Sequence, residues 1–416
     1  MVKLKLLTIT VLMIFLLSSC GTKESVSSSN AFTEFKNHKL NEKLLEGNKA
    51  FSFTLFHEVI KSHKEDNVLV SPISISAALT MTSNGAGGNT LEQMKNTLGF
   101  KSLDQSAVNS SFAALQYQLQ KQENNQALHI ANSIWIRKGL DVQEDFKNTN
   151  LSHFDAESTE LNFDSPDASK TMNKWVSNKT NGKIEEIVPK QIDPDTVMFL
   201  LNAVYFKGAW KYPFNKDMTY DGDFHLADGS KVNVPFMTHD EKELEFLDGS
   251  EFNAVRLPYG EKEDLLMTVL VPDEGQSLEQ LVSSFTKENW DRWNQEFYKT
   301  EGTVRLPKFQ FEKDYKLNDI LIGLGMKDAF QDGVADFSKI ATPPPSLYIG
   351  NVKHKTFIDV NEKGTEAAAV TSVEIKAESA RLDVMEVNAN RPFLFTIHDQ
   401  KTETLLFMGK VENPKE

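Results

Sequence analysis

Residues 365–376, TEAAAVTSVEIK, constrain the fold of this 416-residue chain more than any other stretch. Side chains on a strand point alternately to its two faces. One face then carries Thr365, Ala367, Ala369, Thr371, Val373 and Ile375, with neither charge nor proline. The other carries Glu366, Ala368, Val370, Ser372, Glu374 and Lys376, and so all the charge. This is the profile of a strand with one buried and one wet face. Its setting is that of a long exposed loop. Glu362-Lys363-Gly364 reads as a flexible lead-in, and the polar run from Ala377 to Asn390 follows before strand signals resume at Arg391. On periodicity alone, an ordinary edge strand after a glycine turn and a strand-patterned loop both stand.

Around this stretch the signals are helical first and strand-like later. Ser71-Pro72 suits a helix start, with the serine as cap and the proline in the first turn, and Asn84-Gly85 suits its end. Thr90-Leu91-Glu92-Gln93 has capping-box spacing, with Gly99 as the stop. Ser165-Pro166 opens a further helix that carries Trp175 and ends near Gly182. Strand patterns cover His129 to Ile136, Val197 to Phe206, Leu265 to Val271, Val304 to Leu306, Arg391 to Ile397 and Thr404 to Val411. Without regular alternation of the two types, the expected class is α+β rather than a doubly wound sheet.

The amino terminus reads as an export signal. Lys3 and Lys5 precede an apolar stretch from Leu6 to Leu17, too short for a membrane span of ~20 residues but suited to a secretory signal. Leu17-Ser18-Ser19-Cys20 resembles the lipobox of bacterial lipoproteins, which implies acylation of Cys20, the only cysteine of the chain. The expected organisation is a signal peptide over 1–19, a lipidated cysteine and flexible tether over 20–37, and one domain over 38–416 with an exposed loop near 362–390. The expected location is a bacterial cell envelope, on the outer membrane or the cell surface.

Several functions are disfavoured. The formal charge is −14, from 45 basic and 59 acidic residues, which argues against a nucleic-acid partner, since phosphate-binding surfaces are basic. One cysteine forbids a disulfide framework and a cysteine-based zinc site. No G-x-S-x-G, H-E-x-x-H, phosphate-binding G-x-x-x-x-G-K-[ST] or C-x-x-C motif occurs. Gly85-Ala86-Gly87-Gly88 follows a helix and reads as a loop, the nine histidines lack metal-ligand spacing, and His57-Glu58 is expected to face solvent. No metal, no cofactor and no catalytic residue are expected.

Residues Glu362, Gly364, Thr365, Glu366, Ala367, Ala368 and Ala369 match the reactive-loop hinge of the serpins, and the chain resembles that family over nearly its whole mature length. Further matches are Asn67 to Leu79 (NVLVSPISISAAL), Asn202 to Trp210 (NAVYFKGAW), Leu257-Pro258-Tyr259, Leu306-Pro307-Lys308-Phe309, His354-Lys355, Arg391-Pro392-Phe393 and Phe407-Met408-Gly409. The resemblance implies a helical cluster with mixed sheets and a reactive loop able to insert into the main sheet. It implies suicide inhibition of serine proteases, sometimes of cysteine proteases, by a monomer that is not an enzyme. It makes Thr371 part of the hinge and Trp210 a gate at the top of the sheet. It makes Ser71, Ser74, Asn202 and His354 a polar latch beneath the central strands. The family count of 16 positions from Glu362 gives Glu378–Ser379 as the cut bond, and the 30 residues from Glu362 to Pro392 agree (392 − 362). Ile375, Lys376, Ala377 and Arg381 are alternates, so elastase-, trypsin-, subtilisin- and glutamyl-type targets stay open. The rival expectation is a non-inhibitory serpin acting as a cell-surface binding or chaperone-like protein.

Overall fold

The computed structural model describes residues 32–120, 126–341, 346–365 and 385–416. Helices come first. Asn41 caps α1 (Glu42–Ser62) by accepting from the Lys43 N–H. After β1 (Val68–Val70) follow α2 (Pro72–Ser83), α3 (Gly88–Thr97) and α4 (Gln105–Gln120). Then come β2 (Gln126–Arg137), α5 (Glu144–Phe154), β3 (Glu157–Leu161), α6 (Ala168–Lys179) and β4 (Met198–Ala209). The antiparallel run β5 (Tyr220–His225), β6 (Lys231–Asp248), β7 (Phe252–Tyr259) and β8 (Leu265–Pro272) precedes α7 (Leu278–Ser284) and α8 (Lys287–Glu296). The chain continues through β9 (Tyr298–Pro307), β10 (Phe309–Lys316), α9 (Asn318–Gly323), β11 (Lys353–Asn361) and β12 (Gly364–Thr365). It ends with β13 (Met385–Asn388), β14 (Phe393–Asp399) and β15 (Leu405–Val411).

The strands form two sheets. One runs β1-β15-β14-β8-β7-β6-β9-β13, with β5 paired to β6. The other runs β10-β11-β12-β4-β2-β3. Every residue of β8, β14 and β15 is buried, as their continuous apolar runs require of strands covered on both faces. Eleven of the twelve residues of α2 are buried, so this helix belongs to the core. It packs against both β4 and β15, between the sheets.

The α+β expectation holds, with local corrections. Ser71 stands at the N-cap of α2 but its side chain makes no cap bond. Thr90 lies inside α3, whose N-cap is Gly87. Thr90 and Gln93 instead accept from the backbone N–H groups of Asp336 and Asp328 (2.9 and 2.8 Å), binding α3 to a distant loop. Gly99 does follow the end of α3, in the left-handed conformation (φ +77°). β13 lies within the run read as polar and strandless; it pairs in parallel with β9 because Val387 is buried and Glu386 pairs with Arg305. His57 does not face solvent freely, for its ring bonds the Phe285 carbonyl at 3.0 Å. The packed body also begins before residue 38. Phe32 and Phe35, inside the stretch assigned to the tether, are buried against Ala113 and Ala114 of α4.

Candidate functional site: the loop root, the gate and the latch

The root of the loop is already a strand. β12 is two residues long and antiparallel to both neighbours, pairing Val360 with Thr365 and Asn361 with Gly364 on β11, and Ala209 with Gly364 and Gly208 with Thr365 on β4. Below it, among the described residues, the facing edges of β4 and β11 pair neither with each other nor with another strand. Among the described residues, then, only the two residues of β12 lie between β4 and β11.

Gly364 is demanded by this geometry. Its φ is +143°, and a Cβ there would stand 2.0 Å from the Gly208 carbonyl oxygen. Strands can approach that closely only where the side chain is absent. Glu362, expected in a flexible lead-in, is instead fixed. Its carboxylate accepts from Thr219 Oγ1 at 3.0 Å and lies 3.1 Å from Lys308 Nζ. Burial would raise its pKa, but its own backbone N–H, Lys308 and Thr219 outweigh that and hold it below the usual carboxylate range. Its carbonyl accepts from the Phe214 N–H at 2.8 Å.

Trp210, which the resemblance makes a gate, lies beside the loop root. Its indole N–H donates to the Asn361 carbonyl at 2.9 Å and its backbone N–H to the Lys363 carbonyl at 3.0 Å. Its ring stacks on Tyr259, with centroids 4.4 Å apart. The Tyr259 hydroxyl in turn lies 2.7 Å from Thr365 Oγ1. Thr365 is buried, which fits the assignment of its face to the interior. Phe206 closes the cluster edge-on to Tyr259.

The latch residues assemble as two pairs around the first turn of α2. On one side the Ser71 N–H donates to His354 Nε2 at 3.0 Å, so the proton of this neutral imidazole is on Nδ1. Burial pushes the His354 pKa down to about 3. The Ser71 hydroxyl has no partner among the described residues. On the other side Ser74 Oγ donates to Asn202 Oδ1, and Asn202 Nδ2 donates to Asn132 Oδ1 at 2.7 Å. Asn132 Nδ2 continues the chain to the Phe154 carbonyl at 2.7 Å. His354 is on β11 and Asn202 on β4, so α2 clips together the two strands that border the opening.

The remaining expected site residues lie outside the described residues: Cys20, Glu366, Ala367, Ala368, Ala369, Thr371, Ile375, Lys376, Ala377, Glu378, Ser379 and Arg381. Among the described residues no cluster of three metal-ligating side chains occurs, and no helix is long and apolar enough to cross a membrane. Three residues of the site went unassigned in the sequence reading. Tyr259 and Lys308 stood inside family-like motifs without a role, and Asn132 gave no local signal, since its partner Asn202 is 70 positions away.

Two mixed sheets, with the two-residue β12 seated between β4 and β11 at the start of the hinge motif and a helical cluster around them, define the class of fold. The family model described as Serpin (serine protease inhibitor) matches residues 46–414, and the chain belongs to the serpin family. It is 32% identical to a serpin-like protein of Methanosarcina mazei, over 100% of this chain and 99% of that one. It is 35% identical to the leukocyte elastase inhibitor of Xenopus laevis, over 88% and 97%. Among solved structures it is similar to the thermophilic serpin tengpin in its native state, with a TM-score of 0.81 and 35% identity over 90% of this chain and 95% of that one. A complex of thyroxine-binding globulin with thyroxine also superposes, with a TM-score of 0.81 and 28% identity over 90% and 100%.

Proposed function

We propose that this chain is a suicide inhibitor of serine proteases that works by strand insertion, and that Cys20 anchors it by acyl chains to a bacterial envelope. The protease hydroxyl attacks the scissile carbonyl, the new ester forms, the peptide bond breaks and the amine of the following residue leaves. The count from Glu362 favours Glu378–Ser379 as that bond, with Ile375, Lys376, Ala377 and Arg381 as alternates. The freed segment then runs on from Thr365 between β4 and β11. About 14 residues at ~3.3 Å each carry the tethered enzyme roughly 45 Å, away from the geometry it needs to deacylate.

The observation that carries this reading is the seat of Gly364 and Thr365 between two strands that, among the described residues, have no other partner on their facing edges. Each further inward side chain has to enter a packed interior, where a charge without a partner is strongly destabilising. The sequence offers Ala367, Ala369, Thr371, Val373 and Ile375 for those places. The elastase-inhibitor relative supports a protease as partner. The thyroxine-binding neighbour supports the rival, a binding serpin that holds a ligand without trapping an enzyme.

Thr365→Arg separates the two. Arginine cannot occupy the buried place of Thr365 beside Tyr259, so the variant should be cut as fast as wild type yet form no complex that survives a denaturing gel. A complex as abundant as that of wild type would refute insertion. For the anchor, Cys20→Ser should move the protein from the membrane fraction to the soluble one. Retention in the membrane would refute lipidation at that residue.

A further inference from the structure

The nine-stranded sheet carries an open groove of about 500 Å³, lined by Met218, Tyr220, Thr238, Asp240 and Arg305. That volume suits a small organic molecule. A break in the strand ladder places the groove's free charge. His239 of β6 pairs with Val304 of β9 and Lys242 with Gly302, so positions 240 and 241 stand opposite Thr303 alone. Such a bulge re-aims the side chains it carries, and here it sets Asp240 on the groove wall. Asp240 is exposed and makes no ion pair among the described residues. Arg305, the cation on the wall, is already paired with Glu386 of β13.

The rest of the wall is largely apolar and held in place. Met218 and Tyr220 are 40% and 45% exposed. Tyr220 lies opposite Phe236 on β6, and its ring stacks on that buried ring at 5.9 Å. Gly222, two residues along β5, leaves room for both rings. A Cβ there would stand 3.1 Å from the Phe236 ring and 3.2 Å from the Tyr220 ring. The tyrosine is thus backed by Phe236 and lines the groove with its exposed part. Thr238, opposite Arg305 in register, is buried, and its hydroxyl has no partner among the described residues. A buried hydroxyl left unpaired is costly, and this one lies on the groove wall.

We propose that this groove binds a small organic cation, a protonated amine carried on a flat apolar ring. The ammonium pairs with the Asp240 carboxylate, the ring packs on Tyr220 and Met218, and a polar atom of the ring meets the Thr238 hydroxyl. Charge decides the class of ligand. An anion would face Asp240 while Arg305 is occupied by Glu386. A neutral ring would desolvate the carboxylate without compensating it. Aromatic faces favour cations as well. The assignment is independent of the inhibitory reading, for it uses no residue of the loop root, the gate or the latch.

The test titrates tryptamine into the intact chain by calorimetry. One saturable site with a Kd of ~1 mM or tighter is expected at low salt, weakening as salt rises. Asp240→Asn should weaken binding about tenfold. Thr238→Val, which keeps the side-chain shape, should weaken it several-fold. Tyr220→Ala should do the same, and Tyr220→Phe, which keeps the ring, should bind as wild type does. Glu288→Gln, an equal loss of charge on the exposed side of α8, should leave the Kd unchanged. Indole-3-propionate has the same ring and the opposite charge, and it should bind at least about tenfold more weakly. No saturation of wild type up to ~10 mM tryptamine would overturn the site. So would an Asp240→Asn Kd equal to that of wild type, or indole-3-propionate binding as tightly as tryptamine.

Discussion

At position 364 a single methyl group decides whether the loop root can stay in the sheet. Gly364→Ala would thrust its Cβ onto the Gly208 carbonyl from a left-handed backbone. The root should then lift from β4, and the amides of Phe214 and Trp210, which donate to the Glu362 and Lys363 carbonyls, should exchange with solvent markedly faster. Unchanged protection at both amides would show that Gly364 is not what seats the root. Histidines set a second dependence. Burial depresses His354 and His398 to about 3 and His239 to about 4, and all three are neutral in the fold. Unfolded histidine titrates near 6.5. The unfolded state therefore binds more protons below that pH, and stability falls as pH drops from 6.5 toward 3. At pH 5 each contributes a loss of ~2 kcal/mol. The urea midpoint should decline steadily from pH 7 to pH 5, and His354→Gln should flatten part of the slope. Gly364, Glu362 and Trp210 were picked out beforehand through motifs that resemble those of the serpins, although Glu362 was expected in a flexible lead-in. Tyr259, Lys308 and Asn132 were not, because their roles come from partners 106, 54 and 70 positions away. The capping box at Thr90 misled for a similar reason. Its hydroxyl meets an unpaired N–H brought by a loop 246 positions on.

Among the elements, β4 and β11 matter through the edges that face each other. Among the described residues each has one partner along its length, β2 or β10, and shares only the two residues of β12 on the other side. Strand edges invite a new strand, and the start of α2 bonds both strands, Ser71 to His354 of β11 and Ser74 to Asn202 of β4. Asn202→Ala would leave Ser74 Oγ and Asn132 Oδ1 unpaired in the interior, at a cost on the order of 2–3 kcal/mol. Its urea midpoint should drop accordingly while that of an exposed control, Asn178→Ala, does not. An Asn202→Ala midpoint equal to wild type would show that the clip contributes nothing. Strands with continuous apolar runs, such as β8 and β15, were readable from their pattern. The four-residue β13 was not, since only Val387 of its residues is buried and its pairing depends on β9, far away in sequence.

For the molecule as a whole, the proposed inhibition requires that the segment after Thr365 enter between β4 and β11 once it is cut. On that proposal the intact chain is less stable than the cut one, because the freed segment would extend β12 within the six-stranded sheet. Neither composition nor length could reveal this, for β4 and β11, separated by more than a hundred residues, come together only in the folded sheet. Thermal unfolding of the intact chain and of the chain nicked once in the loop tests that difference. A large upward shift of the midpoint after nicking is the expected result. Superimposable curves would mean that the cut loop does not insert, and inhibition by insertion would have to be abandoned.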